Sequence, residues 1–383
     1  MNVMRIQGES ERSRGVYYEY DRDSQPLGEG GMGRIFAGYM MYEYGGMAPV
    51  PVAIKEIHDH ISREAQLIER AQREASIQIT HDNLLQMYGF VSNVEYDPMH
   101  DANIVRHYMV MERLIGVDLE QLLKGVVTEK TGIPIPYAQE LLTTFQYDRT
   151  EAIVRIIRSV LEGIMALHGR GYIHRDIDPS NIMITLDHKI KLIDFGVCKN
   201  INVNVQEKML TQAGSFIGKV NYAAPELALG DVNHQNYTTD LYAVGVLMYQ
   251  LAVGRLPFNG TNQEVLAAQV GTKMPVGDIA DKALRRVVEK ATQKKQEKRY
   301  MSAAEMIVDL DKILRARKTF SAGFTESGVS PISGTQITRS NGGMQSAYGI
   351  PVNNNSGEGK WWAIFAAAGL VLGLIAKLIV ILC

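Results

Sequence analysis

Residues 174–181 read HRDIDPSN, and a second short stretch, IDFGV, begins at Ile193. Asn181 follows Asp176 by five positions, and Asp194 opens the DFG of the second stretch. These two stretches decide the fold, because the pattern they form demands partners elsewhere in the chain and each partner can be looked for. They also hold an anomaly: a further acid, Asp178, stands two residues after Asp176.

Around them lies a chain of 383 residues, long enough to bury a large core. Forty Lys and Arg against 42 Asp and Glu leave a formal charge of −2, so no basic bias points to nucleic acid. Two cysteines, Cys198 and Cys383, build neither a disulfide framework nor a metal site, which fits a reducing compartment. The opening MNVMRIQGESERSRG has no apolar segment of the signal-peptide kind.

The far end differs. Residues 361–382, WWAIFAAAGLVLGLIAKLIVIL, are apolar throughout except Lys377. At ~1.5 Å per residue such a run spans a hydrocarbon core of roughly 30 Å, and Trp361 and Trp362 suit its interface. A buried core helix is the bland alternative, but a polar stretch separates the run from any domain. The sequence thus predicts a tail anchor with the remainder cytoplasmic and no exported domain. Gly369 and Gly373 form a G-x-x-x-G that could pair two spans into a homodimer.

Between the ends, residues 1–16 read as a loose polar terminus. Residues 17–114 read as strands with one helix, and residues 115–316 as longer amphipathic helices. Ile153, Ile156, Ile157, Val160, Leu161, Ile164 and Leu167 mark one face of a long helix. Ser302 and Glu305 form a capping box for a last helix. Residues 317–360, rich in Ser, Gly and Asn, read as a flexible linker. No repeat of fixed period is seen.

Residues 27–38 read LGEGGMGRIFAG, with Gly28, Gly30 and Gly33 in G-x-G-x-x-G spacing. Alone, that triplet also suits a dinucleotide site, which needs a helix immediately after it. Here VPVAIK follows at 50–55, a strand ending in Lys55. Glycines let backbone approach phosphate oxygens, and a lysine then supplies a point charge. An acid must hold Lys55; Glu74 is the choice, with Glu69 and Glu64 as alternatives on the same helix.

The chain resembles the eukaryotic-like Ser/Thr protein kinases of bacteria over about residues 17–316. LGEGGMGRIF, VAIK, HRD with its Asn, DFG and YAAPE (222–226) carry the resemblance, in order. It implies an α+β fold of two lobes, a small β-rich one and a larger helical one, with ATP between them and Mg²⁺ as cofactor. It implies that Leu27, Gly28, Glu29, Gly30, Gly31, Met32 and Gly33 cover the nucleotide. Ile35 and Ala53 from above and Met183 from below would sandwich the adenine, Met111 would stand as gatekeeper, and Glu112 to Leu114 would form the hinge. Asp176 would take the proton of a substrate hydroxyl, and Asn181 and Asp194 would hold the metal. His174 and Phe195 would be buried beneath the site. Glu226 would pair with Arg299, and Asp240 would bond the backbone of the HRD loop.

The chain departs from the family at three places. Asp178 stands where the family has lysine, and Lys219 where it usually has threonine. These positions are neighbours in the kinase fold, so we expect one exchanged pair, a salt bridge within about 4 Å that restores the missing charge. Gln78, four residues after Glu74, replaces an apolar residue.

The resemblance implies an ATP- and Mg²⁺-dependent kinase acting on Ser/Thr of protein substrates, tethered to a membrane. Asp178, Lys219 and Gln78 keep a nucleotide-binding scaffold without activity as the alternative; a small-molecule kinase is a third reading, against which the peptide-docking resemblance of YAAPE speaks. Arg175 beside Asp176, with Thr211 and Ser215 in the following loop, suggests autophosphorylation there.

Overall fold

The computed structural model describes residues 2–62, 64–97, 101–196, 198–201 and 219–326. Thr211, Ser215, most of the 317–360 stretch and the apolar run at 361–382 lie outside them. Among the described residues no helix is long and apolar enough to cross a membrane.

The first lobe is an antiparallel sheet with helices at its margin. Its elements are β1 (Val3–Ile6), α1 (Glu9–Ser13), β2 (Val16–Asp21), β3 (Gly28–Gly30), β4 (Gly33–Tyr42), β5 (Val50–Ile57), α2 (Asp59–Ser62), α3 (Ala65–Ser76), β6 (Met87–Asp97) and β7 (Ala102–Glu112). The strands run in the order β1-β2-β4-β5-β7-β6, with β3 paired to β4. The glycine-rich stretch is therefore a hairpin, Gly28 opposite Ile35 and Gly30 opposite Gly33, and a strand rather than a helix follows it. This excludes the dinucleotide arrangement.

The loose terminus expected at residues 1–16 is corrected by β1 and α1. Met4 and Ile6 are the more buried residues of β1, alternating with exposed Val3 and Arg5, the period-2 pattern of a half-buried strand, and β1 pairs with β2. Ile6 is fully buried with Tyr18, Tyr20, Phe36, Val52, Ile54 and Val110 in a cluster on one face of the sheet. That burial contributes ~1.5–3 kcal/mol for Ile6 alone, and the pairing of β1 with β2 adds to it.

The alternate residues of the same strands, among them Met87 and Met109, face a larger core that continues into the second lobe. That lobe contains β8 (Gly116–Asp118), α4 (Leu119–Leu123), α5 (Pro136–Tyr147), α6 (Arg149–His168), β9 (Tyr172–Ile173), β10 (Ile182–Thr185), β11 (Ile190–Leu192), β12 (Lys199–Asn200), α7 (Pro225–Ala228), α8 (Tyr237–Val253), α9 (Asn262–Gly271), α10 (Lys282–Ala291) and α11 (Ala303–Glu326). The predicted face of α6, Ile153 through Leu167, is buried throughout. Helix α8 is buried on nearly every side and carries Asp240 in its first turn.

Two boundaries differ from expectation. Helix α11 continues to Glu326, into the stretch expected to be linker, which has no proline there to stop it. Ser302 accepts from Glu305 N at 3.2 Å, but Glu305 reaches back to Met301 N (2.9 Å) rather than to Ser302. Helix α3 ends at Ser76, so the periodicity that would bury residue 78 stops: Ile77 is buried, while Gln78 is exposed and donates to Tyr88 O.

Candidate active site

The catalytic loop hangs between β9 and β10 and is held from below by α8. Asn236 caps that helix, and its first-turn acid Asp240, fully buried, accepts from His174 N (2.9 Å), Arg175 N (2.9 Å) and His168 Nε2 (2.8 Å). Burial opposes the charge on Asp240, but the His168 bond and the two nearby imidazoles keep its carboxyl below the usual range. Arg175 adopts φ of 67°, a left-handed conformation unusual for a non-glycine residue, so the loop is held where it would not rest alone.

Asp176 sits half-buried beyond that bend. Its carboxylate accepts from Asn181 Nδ2 at 3.1 Å and from the backbone N–H of Lys219 at 3.2 Å. Burial pushes its carboxyl up, and the charge of Asp178 adds to this while His174 opposes it. The Asn181 amide nitrogen also donates to Asp176 O (2.9 Å) and Asp178 Oδ2 (3.1 Å).

The contact expected between Asp178 and Lys219 is present. Lys219 Nζ lies 2.6 Å from Asp178 Oδ1 and 2.8 Å from Ser180 Oγ. Asp178 is 1% exposed and also accepts from Ser180 N (2.7 Å) and Ser180 Oγ (2.8 Å); the Lys219 side chain is 45% exposed.

Asp194 is exposed, with φ of 64°, and accepts from Gly196 N at 3.0 Å. Phe195 beside it is buried against the edge of the His174 ring, 5.8 Å between centroids, as the resemblance implies. Across the cleft, the structure brings Glu74 to this turn but leaves the expected Lys55–Glu74 pair open. Among the described residues neither side chain closes an ion pair, and Lys55 is half-buried on β5. Glu74 is buried, and its carboxyl is pushed up to about 7 by burial and by Asp194, against the pull of Lys55 and Arg70. Arg70, one turn earlier on α3, donates from Nε to Gly196 O. The alternatives lie outside the cleft: Glu69 is exposed and faces Arg73 at 4.0 Å, and Glu64 is exposed just before α3.

The β3–β4 hairpin shares its sheet with Lys55, Ile35 standing opposite it on β4 and β5. At Gly33 a Cβ would come within 2.2 Å of Glu56 O, so only glycine permits this approach to β5. His58 fastens the tip, its backbone N–H to Met32 O (3.0 Å) and its Nε2 to Gly30 O (3.1 Å). A carbonyl only accepts, so Nε2 carries the proton. Leu27, Ile35, Met111, Leu114 and Met183 are half-buried and Ala53 is 7% exposed, a partly open apolar lining. Met111 pairs opposite Ala53 on β7 and β5. Glu112 accepts from the buried Lys191 (2.9 Å), which also donates to Leu84 O (3.1 Å), tying the end of β7 to β11.

His58, Arg70, Ser180 and Lys191 escaped the sequence reading. Only Lys191 left a signal there, a lysine flanked by Ile190 and Leu192 in an apolar strand. Below the cleft, the expected Glu226–Arg299 pair is closed and buried, with both guanidinium ends on the carboxylate at 2.8 and 2.9 Å.

Comparison with known proteins agrees with this geometry. The family model described as protein kinase domain matches residues 22–311. The serine/threonine-protein kinase Pkn1 of Myxococcus xanthus is 31% identical over 289 residues, 73% of this chain and 36% of the relative. The probable serine/threonine-protein kinase PknB of Corynebacterium glutamicum is 31% identical over 300 residues, covering 76% and 41%. The serine/threonine-protein kinase PksC of Streptomyces coelicolor is 30% identical over 337 residues, covering 86% and 54%. The chain therefore spans about a third to a half of the length of these relatives. With the two lobes, the loop held by Asp240 and the matched residues taken together, the chain belongs to the protein kinase family.

Proposed function

We propose that this chain is a protein serine/threonine kinase that transfers the terminal phosphate of ATP to a hydroxyl of a protein substrate. The observation that carries the reading is Asp176. Its carboxylate is fixed by Asn181 and by the Lys219 backbone on a loop held by Asp240, facing the cleft that Lys55 and the glycine hairpin overlie. In this reading Asp176 orients the substrate hydroxyl and accepts its proton, and its raised pKa favours that acceptance. Lys55 meets the inner phosphates, and the half-buried lining takes the adenine.

Asn181 and Asp194 suit Mg²⁺, a hard cation that prefers oxygen ligands. The Asn181 nitrogen is occupied by hydrogen bonds while its Oδ1 accepts none among the described residues, and Asp194 is exposed. When bound, the ion would offset phosphate charge. The open Lys55–Glu74 pair favours the second reading, a nucleotide-binding scaffold without activity. One experiment separates the two: phosphate transfer from labelled ATP to a generic protein substrate, with Asp176→Asn as control. Transfer by the parent chain but not the variant supports the kinase; binding of ATP without transfer supports the scaffold.

Autophosphorylation at Thr211 or Ser215, membrane tethering through residues 361–382 with the kinase domain cytoplasmic, and pairing of spans through Gly369 and Gly373 belong to the same proposal. Their support is the sequence: two hydroxyls in the loop before YAAPE, and an apolar run of membrane-spanning length. Phosphosite mapping by mass spectrometry and flotation with liposomes test them.

A further inference from the structure

Resting on the phosphotransfer reading, we propose that Lys219 supplies the positive charge that meets the terminal phosphate of the nucleotide, and that Asp178 is the positioning residue that aims it. The charge then comes from the segment that leads into Tyr222, not from the loop that carries Asp176.

Phosphoryl transfer depends on cations placed around the transferred group. Three carboxylates, Asp176, Asp178 and Asp194, line this site, and residues 176–181 contain no lysine or arginine. Arg175 cannot serve, since its guanidinium reaches Gln235, just before the cap of α8, at 3.2 Å. Lys219 touches the catalytic loop twice over. Its backbone N–H bonds Asp176 Oδ1, and its Nζ bonds Asp178 and Ser180. An ammonium has three donors. Two are used among the described residues, and the side chain remains 45% exposed, so a third donor is open to a ligand arriving beside Asp176.

Asp178 is built to hold a cation rather than to react. It is buried and immobilised by Ser180 N, Ser180 Oγ and Asn181 Nδ2. In the transfer, the substrate hydroxyl oxygen forms a bond to the terminal phosphorus while the bond from that phosphorus to the bridging oxygen breaks. ADP leaves with the electron pair, and the hydroxyl proton passes to Asp176. Lys219 takes no part in the bond exchange and changes only in how strongly it is attracted. Because the cation and the Asp176 contact come from one residue, the site is complete only while residue 219 lies against the loop.

The alternative is that Lys219 merely neutralises a buried acid, and the experiment is chosen to tell the two apart. Full-length protein and its Lys219→Ala, Lys219→Arg, Lys219→Gln, Lys219→Thr, Asp178→Lys, Lys219→Ala/Asp178→Asn and Asp178→Lys/Lys219→Thr variants are compared. Direct binding of Mg·ADP and saturated phosphate transfer to myelin basic protein are both measured. Lys219→Ala should slow transfer by about 10²-fold, the usual effect of one lost charge-stabilising donor, and leave ADP affinity within about twofold. Lys219→Arg should keep much of the rate. Lys219→Ala/Asp178→Asn should stay as slow as the single variant, while Asp178→Lys/Lys219→Thr should recover more than its two single changes sum to. Recovery in the Ala/Asn pair, or a normal rate in Lys219→Ala, overturns the proposal and leaves Lys219 a counter-ion. Should Lys219→Ala not fold, a Lys219→Arg rate equal to that of Lys219→Gln overturns it instead. If the parent chain binds ADP but transfers nothing, the phosphotransfer reading itself has failed, a result distinct from all of these.

Discussion

Two carboxylate–cation pairs in the second lobe look alike on paper and differ in kind. In Glu226–Arg299 both members are buried, both guanidinium ends are engaged, and further bonds run to Thr238 O, Gln293 O and Lys294 O. In Asp178–Lys219 only the acid is buried, and the cation is half in solvent. A sealed pair has no way to exchange its partner, so it can serve architecture alone. A pair open on its cationic side can hold that cation in place and still present it to something else.

The largest effect should come from breaking the sealed pair. Arg299→Ala strands a buried carboxylate and should cost about 3–5 kcal/mol in urea unfolding. A loss near zero would remove the contrast between the two sites. Next comes Glu74, a buried acid whose cation is not in contact. Its folded pKa, about 7, lies above the ordinary 4.5, so the folded state holds the extra proton and stability falls as pH rises through that window. Glu74→Gln should therefore raise the unfolding free energy above pH 7 by on the order of 3 kcal/mol, seen as a higher melting temperature, and change little below pH 4.5. Glu226 should respond with the opposite sign. Burial opposes its charge, yet Arg299 holds its carboxyl below the usual range, so its contribution is present above that range and lost in acid.

Lys219→Ala should cost no more than ~1 kcal/mol in the same unfolding assay, since the lysine is half in solvent and Asp178 keeps three other donors. A loss as large as that of Arg299→Ala would mean the open pair is architectural after all. The smallest effect is expected at the hairpin tip. His58→Ala should weaken ADP binding a few-fold with little change in melting temperature. His58→Gln, whose amide can still donate to Gly30 O, should bind ADP like the parent chain.

What the sequence disclosed was mostly what is local. The spacing of Asp176, Asn181 and Asp194 fixes a loop and a turn, and the period of α6 fixes its buried face; both are read along the chain. The exchanged pair at 178 and 219 was legible too, because each member departs from a family pattern at neighbouring positions. The open state of Lys55 and Glu74 was not. Which partner a buried acid keeps depends on how α3 packs, and Arg70 binding the carbonyl of Gly196 is a contact across 126 positions. His58 was invisible for a similar reason: a lone histidine after a strand gives no sign that a glycine carbonyl lies within reach. The terminus misled in the other direction, since a few apolar residues ahead of a polar, charged run are weak evidence for a strand until a sheet face awaits them.

That terminal strand has a practical consequence. The family match begins at residue 22, so β1, α1 and all of β2 lie ahead of it. A fragment cut at Tyr17 would look complete by motif. It would nevertheless uncover the rings of Tyr18 and Tyr20 and leave β2 as a bare edge, a row of unpaired N–H and C=O groups beside apolar surface. Such an edge invites pairing between molecules. Preparations that begin at Tyr17 should precipitate or self-associate where those that keep Val3 onward stay dispersed, and the two would differ in solubility before they differed in chemistry.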